Sequence, residues 1–89
     1  MKKLRLNYVV HFHDLTQKQY EDYETGAATA KELIGEIDKL YPGFAAYLIN
    51  EDETPVLQNV MVLSREGMRA RAVKVYSEPI CDGDYITFL

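Results

Sequence analysis

The first residues of the chain alternate between apolar and polar side chains. In residues 3–13 every even-numbered position is apolar, namely Leu4, Leu6, Tyr8, Val10 and Phe12. A period of two residues is typical of a strand with one buried face. Residues 18–25 are polar and contain two tyrosines, and they predict a second strand. We expect the two strands to form a hairpin through residues 14–17.

A capping box marks the start of a helix. Thr29 and Glu32 are three residues apart, so the Thr29 hydroxyl can accept from the Glu32 amide while the Glu32 carboxylate reaches back to the Thr29 amide. Apolar residues then recur at helical spacing, namely Ala30, Leu33, Ile34, Ile37 and Tyr41. Pro42 and Gly43 follow and are typical of a helix end. The sequence predicts one main helix at about residues 30–41.

The second half of the chain predicts three further strands. They are residues 56–63, 68–72 and 85–89, with turns at 65–67 and 81–84. Residues 44–49 are apolar, but the segment is too short for its periodicity to distinguish a helical turn from a strand.

This order of elements predicts an α+β fold with a mixed sheet of about five strands packed on one helix. The first and last strands are the most apolar, so we expect them to be neighbours at the centre of the sheet. The helix and the intervening strands would supply the crossover that makes these two strands parallel. A length of 89 residues allows one hydrophobic core, and we expect a single domain spanning residues 1–89.

Composition narrows the class of protein. No apolar run approaches the ~18 residues that a membrane span requires. The basic N-terminal residues are not followed by the apolar stretch of a signal peptide, since Asn7 and His11 interrupt it. The one cysteine, Cys81, cannot form an internal disulfide, which is typical of a reducing compartment. We therefore expect a cytoplasmic protein that does not bind membranes.

The net charge of −4 is unevenly distributed. Residues 14–53 contain ten acids and three bases, whereas the rest of the chain contains seven bases and four acids. Nucleic-acid binding is not expected, because neutralising phosphates requires a basic surface. The acidic segment fits either a solvated helix face or a surface for a basic protein partner.

Catalytic and metal-binding patterns are missing from the sequence. His11 and His13 share a parity of the first predicted strand, but two imidazoles without a third ligand are too few for a metal site. The sequence has no Ser-His-Asp set and no phosphate-binding glycine loop. We expect no enzymatic activity, no cofactor and no metal.

Four segments, in order along the chain, resemble the ThiS/MoaD sulfur carriers, which are the thiamine sulfur carrier and the small subunit of molybdopterin synthase. They are the helix start at 26–34, the helix end at 40–44, the strand at 59–63 and the turn into the last strand at 82–86. The resemblance covers nearly the whole chain and implies a ubiquitin-like β-grasp fold. For a true carrier it also implies an adenylating enzyme as partner, together with the molybdopterin synthase large subunit or thiazole synthase.

The sequence departs from that family at its last residue. The carriers end in a mobile Gly-Gly tail, whose terminal glycine is adenylated and converted to a thiocarboxylate, whereas this sequence ends at Leu89. We therefore expect a non-catalytic relative that works by binding a protein partner. One alternative is an authentic sulfur carrier for molybdopterin or thiamine biosynthesis whose tail is missing from this sequence. Another is an accessory subunit of a multicomponent enzyme.

A partner-binding patch is expected on the outer face of the sheet. If Ile86 and Phe88 face the helix, then Tyr85 and Leu89 face outward. Val9 lies beside them, at an outward-facing position of the first predicted strand. The resemblance implies partner docking through an apolar patch at positions that Val9 and Leu89 match. The predicted site comprises Val9, His11, Tyr85 and Leu89. The alternative is a scatter of single surface apolar residues, which is normal for soluble proteins.

Overall fold

The computed structural model describes all 89 residues, which form a five-stranded mixed sheet covered on one face by a long helix. The strands are β1 (Lys2–Tyr8), β2 (Tyr20–Thr25), β3 (Met61–Ser64), β4 (Arg71–Ala72) and β5 (Tyr85–Phe88). The helices are α1 (His11–Thr16) and α2 (Ala30–Leu40), and a 3₁₀ turn spans Ala45–Tyr47.

The two ends of the chain pair at the centre of the sheet. The strand order is β2-β1-β5-β3-β4. β1 and β5 are parallel, in a register that aligns Arg5 with Tyr85 and Tyr8 with Phe88. Every other neighbouring pair is antiparallel. The predicted α+β architecture, with its central parallel pair, is confirmed.

Helix α2 supplies the second layer of the core. Leu33, Ile34 and Ile37 are fully buried in one apolar cluster with the inward side chains of the sheet. Thr29 caps the helix as predicted, since its hydroxyl accepts from the Glu32 amide at 3.3 Å. The predicted return contact differs, because the Glu32 carboxylate accepts from the amide of Ala28 at 2.7 Å, one residue before the cap.

The prediction of a first strand over residues 3–13 is wrong beyond Tyr8. The Val9 carbonyl accepts from the Phe12 amide at 3.2 Å, and Val10 has φ 56° and ψ −114°. These are the dihedrals of the first central residue of a type II′ turn. The turn reverses the chain, so Val10 is 62% exposed while Phe12 is buried on α1.

Helix α1 also replaces the predicted hairpin loop. Residues 14–17 were expected to connect β1 directly to β2, but 14–16 belong to α1 and only the pairing of β1 with β2 is as predicted. β3 and β4 are shorter than predicted, and the ambiguous segment 44–49 contains the 3₁₀ turn. The alternation of residues 9–13 continues the β1 pattern by coincidence.

Four aromatic rings join these elements. Phe44 contacts Phe88 with ring centroids 4.9 Å apart and Phe12 at 5.1 Å, and Tyr8 stacks on Phe88 at 5.9 Å. The four residues come from β1, α1, the segment after α2 and β5. Buried aromatic pairs stabilise beyond the area they bury, so this cluster fixes α1 against the sheet.

At the other end of β5, a buried carboxylate pairs with a partly exposed arginine. The fully buried carboxylate of Asp84 accepts from Nε of Arg65 at 2.8 Å and from its Nη2 at 3.0 Å. It also accepts from the Cys81 amide at 2.8 Å. The hydrogen bonds to Asp84 raise the pKa of Arg65 above its ordinary value. The pair therefore joins the end of β3 to the turn before β5.

We predict that Asp84→Ala lowers the free energy of unfolding by about 1–3 kcal/mol, because it leaves the Cys81 amide and Arg65 without their acceptor. Urea denaturation would measure the loss. Asp22→Ala is the control, since it removes a carboxylate from the exposed pair with Arg5 and should leave the transition unchanged. Equal losses in both variants would contradict the structural role of Asp84.

Carboxylates between β2 and α2 accept hydrogen bonds from tyrosine hydroxyls. Glu21 accepts from Tyr8 at 2.8 Å and from Tyr41 at 3.2 Å. Glu36 accepts from Tyr23 at 3.1 Å and from Thr25 at 2.7 Å. Burial, followed by the bond to Glu36, raises the pKa of Tyr23 from 10.0 to about 12. Burial and Glu21 likewise raise the pKa of Tyr8.

The raised pKa of Tyr23 predicts a loss of stability at alkaline pH. The folded state holds the phenol proton more tightly than the unfolded state, so this stabilisation is complete below pH 10 and is lost as the pH rises towards 12. Tyr23→Phe should flatten the decline of the urea midpoint in that interval. An unchanged decline in Tyr23→Phe would refute the assignment.

Candidate protein-docking surface

The outer face of the sheet, opposite α2, presents its side chains in rows across the strands. One row contains Asp22, Arg5, Tyr85 and Ser64, and the next contains Tyr20, Asn7, Thr87, Val62 and Ala72. The Val9 amide donates to the Phe88 carbonyl at 2.9 Å, and Val60 and Leu89 exchange hydrogen bonds at 2.6 and 2.9 Å. Val9, Leu89 and Val60 therefore form a third row.

The first row is charged. Arg5 donates to Asp22 at 2.9 Å, and the hydrogen bond and the carboxylate charge raise the pKa of Arg5. Its guanidinium carbon also lies 5.7 Å from the centre of the Tyr20 ring. This end of the face holds a solvated ion pair beside two tyrosines, because Tyr85 aligns with Arg5 on the neighbouring strand.

The opposite end of the face is apolar. We define the outer patch as Val9, Val60, Val62, Ala72 and Leu89. Leu89 is 44% exposed, Ala72 is exposed, and the three valines are half-buried. These side chains lie on or next to four of the five strands, so the ladder hydrogen bonds of the sheet hold them in fixed positions.

The structure brings together only part of the predicted site. Val9 and Leu89 are neighbours in the third row, as the sequence indicated. Tyr85 is 36% exposed on the same face, but it lies four residues from Leu89 along the strand, a separation of about 13 Å. His11 is not on a strand, since it begins α1 and its ring stacks on Tyr47 at 5.6 Å.

Other members of the outer patch were missed in the sequence. Val60 and Val62 were assigned to the strand predicted over residues 56–63, and no outward face was distinguished there. Met61 and Leu63 are buried, and their alternation with the valines is the signal that identifies the outward positions. Ala72 gives no such signal, because β4 has only two residues.

Neither a metal site nor a membrane span is present in the structure. No group of three or more His, Cys, Asp or Glu residues is arranged to hold a metal ion. None of its helices has the length and apolarity needed to cross a bilayer. His13 shares the short helix α1 with His11, so the expected pair of strand histidines does not exist.

The type II′ turn beside the outer patch is strained. The first central position of this turn favours glycine, and Val10 is β-branched with φ 56°. Such residues cost about 1–3 kcal/mol each and persist because the surrounding packing determines the backbone. The buried Phe12 that follows the turn provides that packing, so the core fixes where Val9 projects.

We predict that Val10→Gly stabilises the protein by about 1 kcal/mol, because relief of the strain exceeds the ~0.5–1 kcal/mol entropy cost of glycine. Thermal and urea unfolding would measure the gain. The control Val75→Gly replaces another exposed valine, but one whose φ is not positive, and should destabilise. A loss of stability in Val10→Gly would refute the proposed strain.

Comparison with known proteins identifies the fold. Small archaeal modifier protein 1 from Haloferax volcanii superposes with a TM-score of 0.72 at 12% identity, covering 99% of this chain and 95% of the other. Another crystal structure of the same protein, named SAMP1, gives 0.70 at 12% identity over 98% and 92%. A Pyrococcus furiosus protein assigned as molybdopterin converting factor, subunit 1, gives 0.67 at 24% identity over 99% and 95%.

The chain therefore has the ubiquitin-like β-grasp fold. No family model matches the sequence, and no curated protein matches it. The likeness extends over nearly the full length of both chains in each comparison.

Proposed function

We propose that this chain is a non-catalytic β-grasp protein that binds a protein partner through the outer patch. One observation carries the proposal: five apolar side chains occupy one end of an outward-facing sheet surface, where they add nothing to the core under α2. Apolar side chains gathered at one place on a small protein mark an interaction surface more often than scattered ones do.

The surroundings of the outer patch suit a protein interface. An interface has an apolar centre and a polar rim. Here the Arg5–Asp22 pair lies beyond one side of the patch, and Lys74 follows β4 on another. The strands hold the centre in place, so binding would cost little ordering of the backbone.

The names of the structural relatives support a role in which this chain acts together with other proteins. One is named a modifier protein and the other a subunit of a converting factor. A cytoplasmic location accompanies the proposal, because Cys81 is a free thiol.

A sulfur carrier for molybdopterin or thiamine biosynthesis is the second candidate. The full-length superposition on a molybdopterin converting factor subunit favours it. Its partners would be an adenylating enzyme and the molybdopterin synthase large subunit or thiazole synthase. The chain would be incubated with ATP, a sulfur donor and the adenylating enzyme. Replacement of a C-terminal carboxylate oxygen by sulfur, detected by intact mass spectrometry, would establish this candidate.

For the proposed function, we predict that Val9→Glu prevents partner binding and leaves the fold intact. A carboxylate within the outer patch would be desolvated in any complex without a compensating partner. In the free protein it remains in water, so the free energy of unfolding should change by less than about 1 kcal/mol. Affinity capture with the parent and the variant as baits, compared by mass spectrometry, measures the effect.

Leu40→Glu is the matched control. Leu40 is 58% exposed at the end of α2, away from the sheet face, so this variant should capture the same proteins as the parent. If Val9→Glu melts normally and captures every partner, the outer patch is not the binding surface. If Val9→Glu unfolds the protein, Val9 has a core role and Val62→Glu repeats the test.

A further inference from the structure

The β4 edge of the sheet has unpaired backbone groups. Arg71 pairs with Leu63, and the Val73 amide donates to the Met61 carbonyl at 2.7 Å. Alternate residues of an antiparallel strand point their N–H and C=O groups in opposite directions, so those of Ala72 and Lys74 face away from β3. Lys74 has no backbone hydrogen bond, and both residues are exposed.

Two grooves of different character flank this edge. The first has a volume of about 330 Å³ and is lined mainly by apolar residues, among them Pro55, Val56, Leu57, Val60 and Ala72. Leu57 is 91% exposed at its rim. The second has a volume of about 420 Å³ and is lined by Arg71, Lys74, Ser77 and Glu78 among others. Ala72 and Lys74 line both grooves.

The charge beside the edge is positive. Arg69, Arg71 and Lys74 lie within a few residues of one another, with Glu78 as the nearest acid in the following sequence. Arg71 is paired with Glu78, but Lys74 and Arg69 have no carboxylate partner. A cation without a partner beside a strand edge attracts an acidic side chain.

We propose that the β4 edge binds an extended segment of the partner as an added strand, with side chains that alternate between apolar and acidic. Successive side chains of a strand point to opposite faces. One set would fill the apolar groove while the other meets the basic groove, with Lys74 lining both, and the backbone would bond to Ala72 and Lys74. The inference rests on the proposed function, because Val60 and Ala72 belong to both the groove and the outer patch.

A second copy of this chain is a poorer occupant. The strand it could offer is β2, the other edge of the sheet. Two of its carboxylates already have cationic partners, since Asp22 pairs with Arg5 and Glu21 with Lys18. Only Glu24 of β2 has no cationic partner, so a second copy offers this edge one free carboxylate. A separate segment with alternating acidic residues offers several, and it fits the edge better.

The test is an NMR titration of the ¹⁵N-labelled chain with a capped synthetic peptide of alternating valine and aspartate. We expect amide shifts in residues 55–60 and 70–76, weakening as salt is added. A peptide of alternating valine and lysine is the control and should cause no shifts there. Equal shifts with both peptides, or none with either, would overturn the proposal.

Two variants locate the contact. Ala72→Pro removes an amide that faces solvent in the free protein, so the fold should persist while affinity for the peptide falls at least about tenfold. Lys74→Glu should weaken binding by about fivefold, and the matched reversal Lys39→Glu on α2 should not. If Ala72→Pro fails to fold, the comparison of Lys74→Glu with Lys39→Glu decides, and equal affinities would refute the proposal.

The same titration separates this inference from the proposed function. Val9→Glu should bind the peptide as the parent does, because Val9 does not line either groove. Loss of partner capture in Val9→Glu with retained peptide binding supports both. Concentration-dependent shifts in residues 70–76 without peptide would instead show that this edge pairs with a second copy, and would overturn the inference.

Discussion

The contact of Phe12, Phe44, Phe88 and Tyr8 in one aromatic cluster is the interaction on which the other elements depend. It joins the two central strands, the short helix between β1 and β2, and the segment that leaves α2. The cluster holds α1 after a turn whose backbone is unfavourable for valine. The position of Val9 in the outer patch is therefore determined by packing on the opposite side of the sheet.

The sequence was sufficient to predict helix α2 and the arrangement of the strands. Thr29 and Pro42 mark the helix limits through hydrogen bonding and backbone sterics, which act over a few residues. The parallel placement of β1 and β5 followed from their apolar character and from connection rules. Those rules depend on element order, which the sequence displays directly.

The turn at Val10 could not be predicted from the sequence in this way. Every second residue from Leu4 to Phe12 is apolar, and the glycine that normally marks a type II′ turn is missing here. Phe12 is buried by contacts with residues far along the chain. The local sequence of residues 9–13 shows none of these contacts, and taken alone it matches a strand better than a turn followed by a helix. For the same reason His11 was assigned to the sheet face, whereas it stacks on Tyr47 beside α1.

The central pairing of β1 with β5 has a consequence for biosynthesis. The residues it aligns are separated by almost the whole chain, so they cannot meet until the final strand has left the ribosome. Until then β1 has β2 as its only strand neighbour. β3 cannot pair with the β1–β2 hairpin, because β5 lies between them in the sheet. A nascent chain that still lacks β5 thus exposes open strand edges, which are prone to pair with other chains.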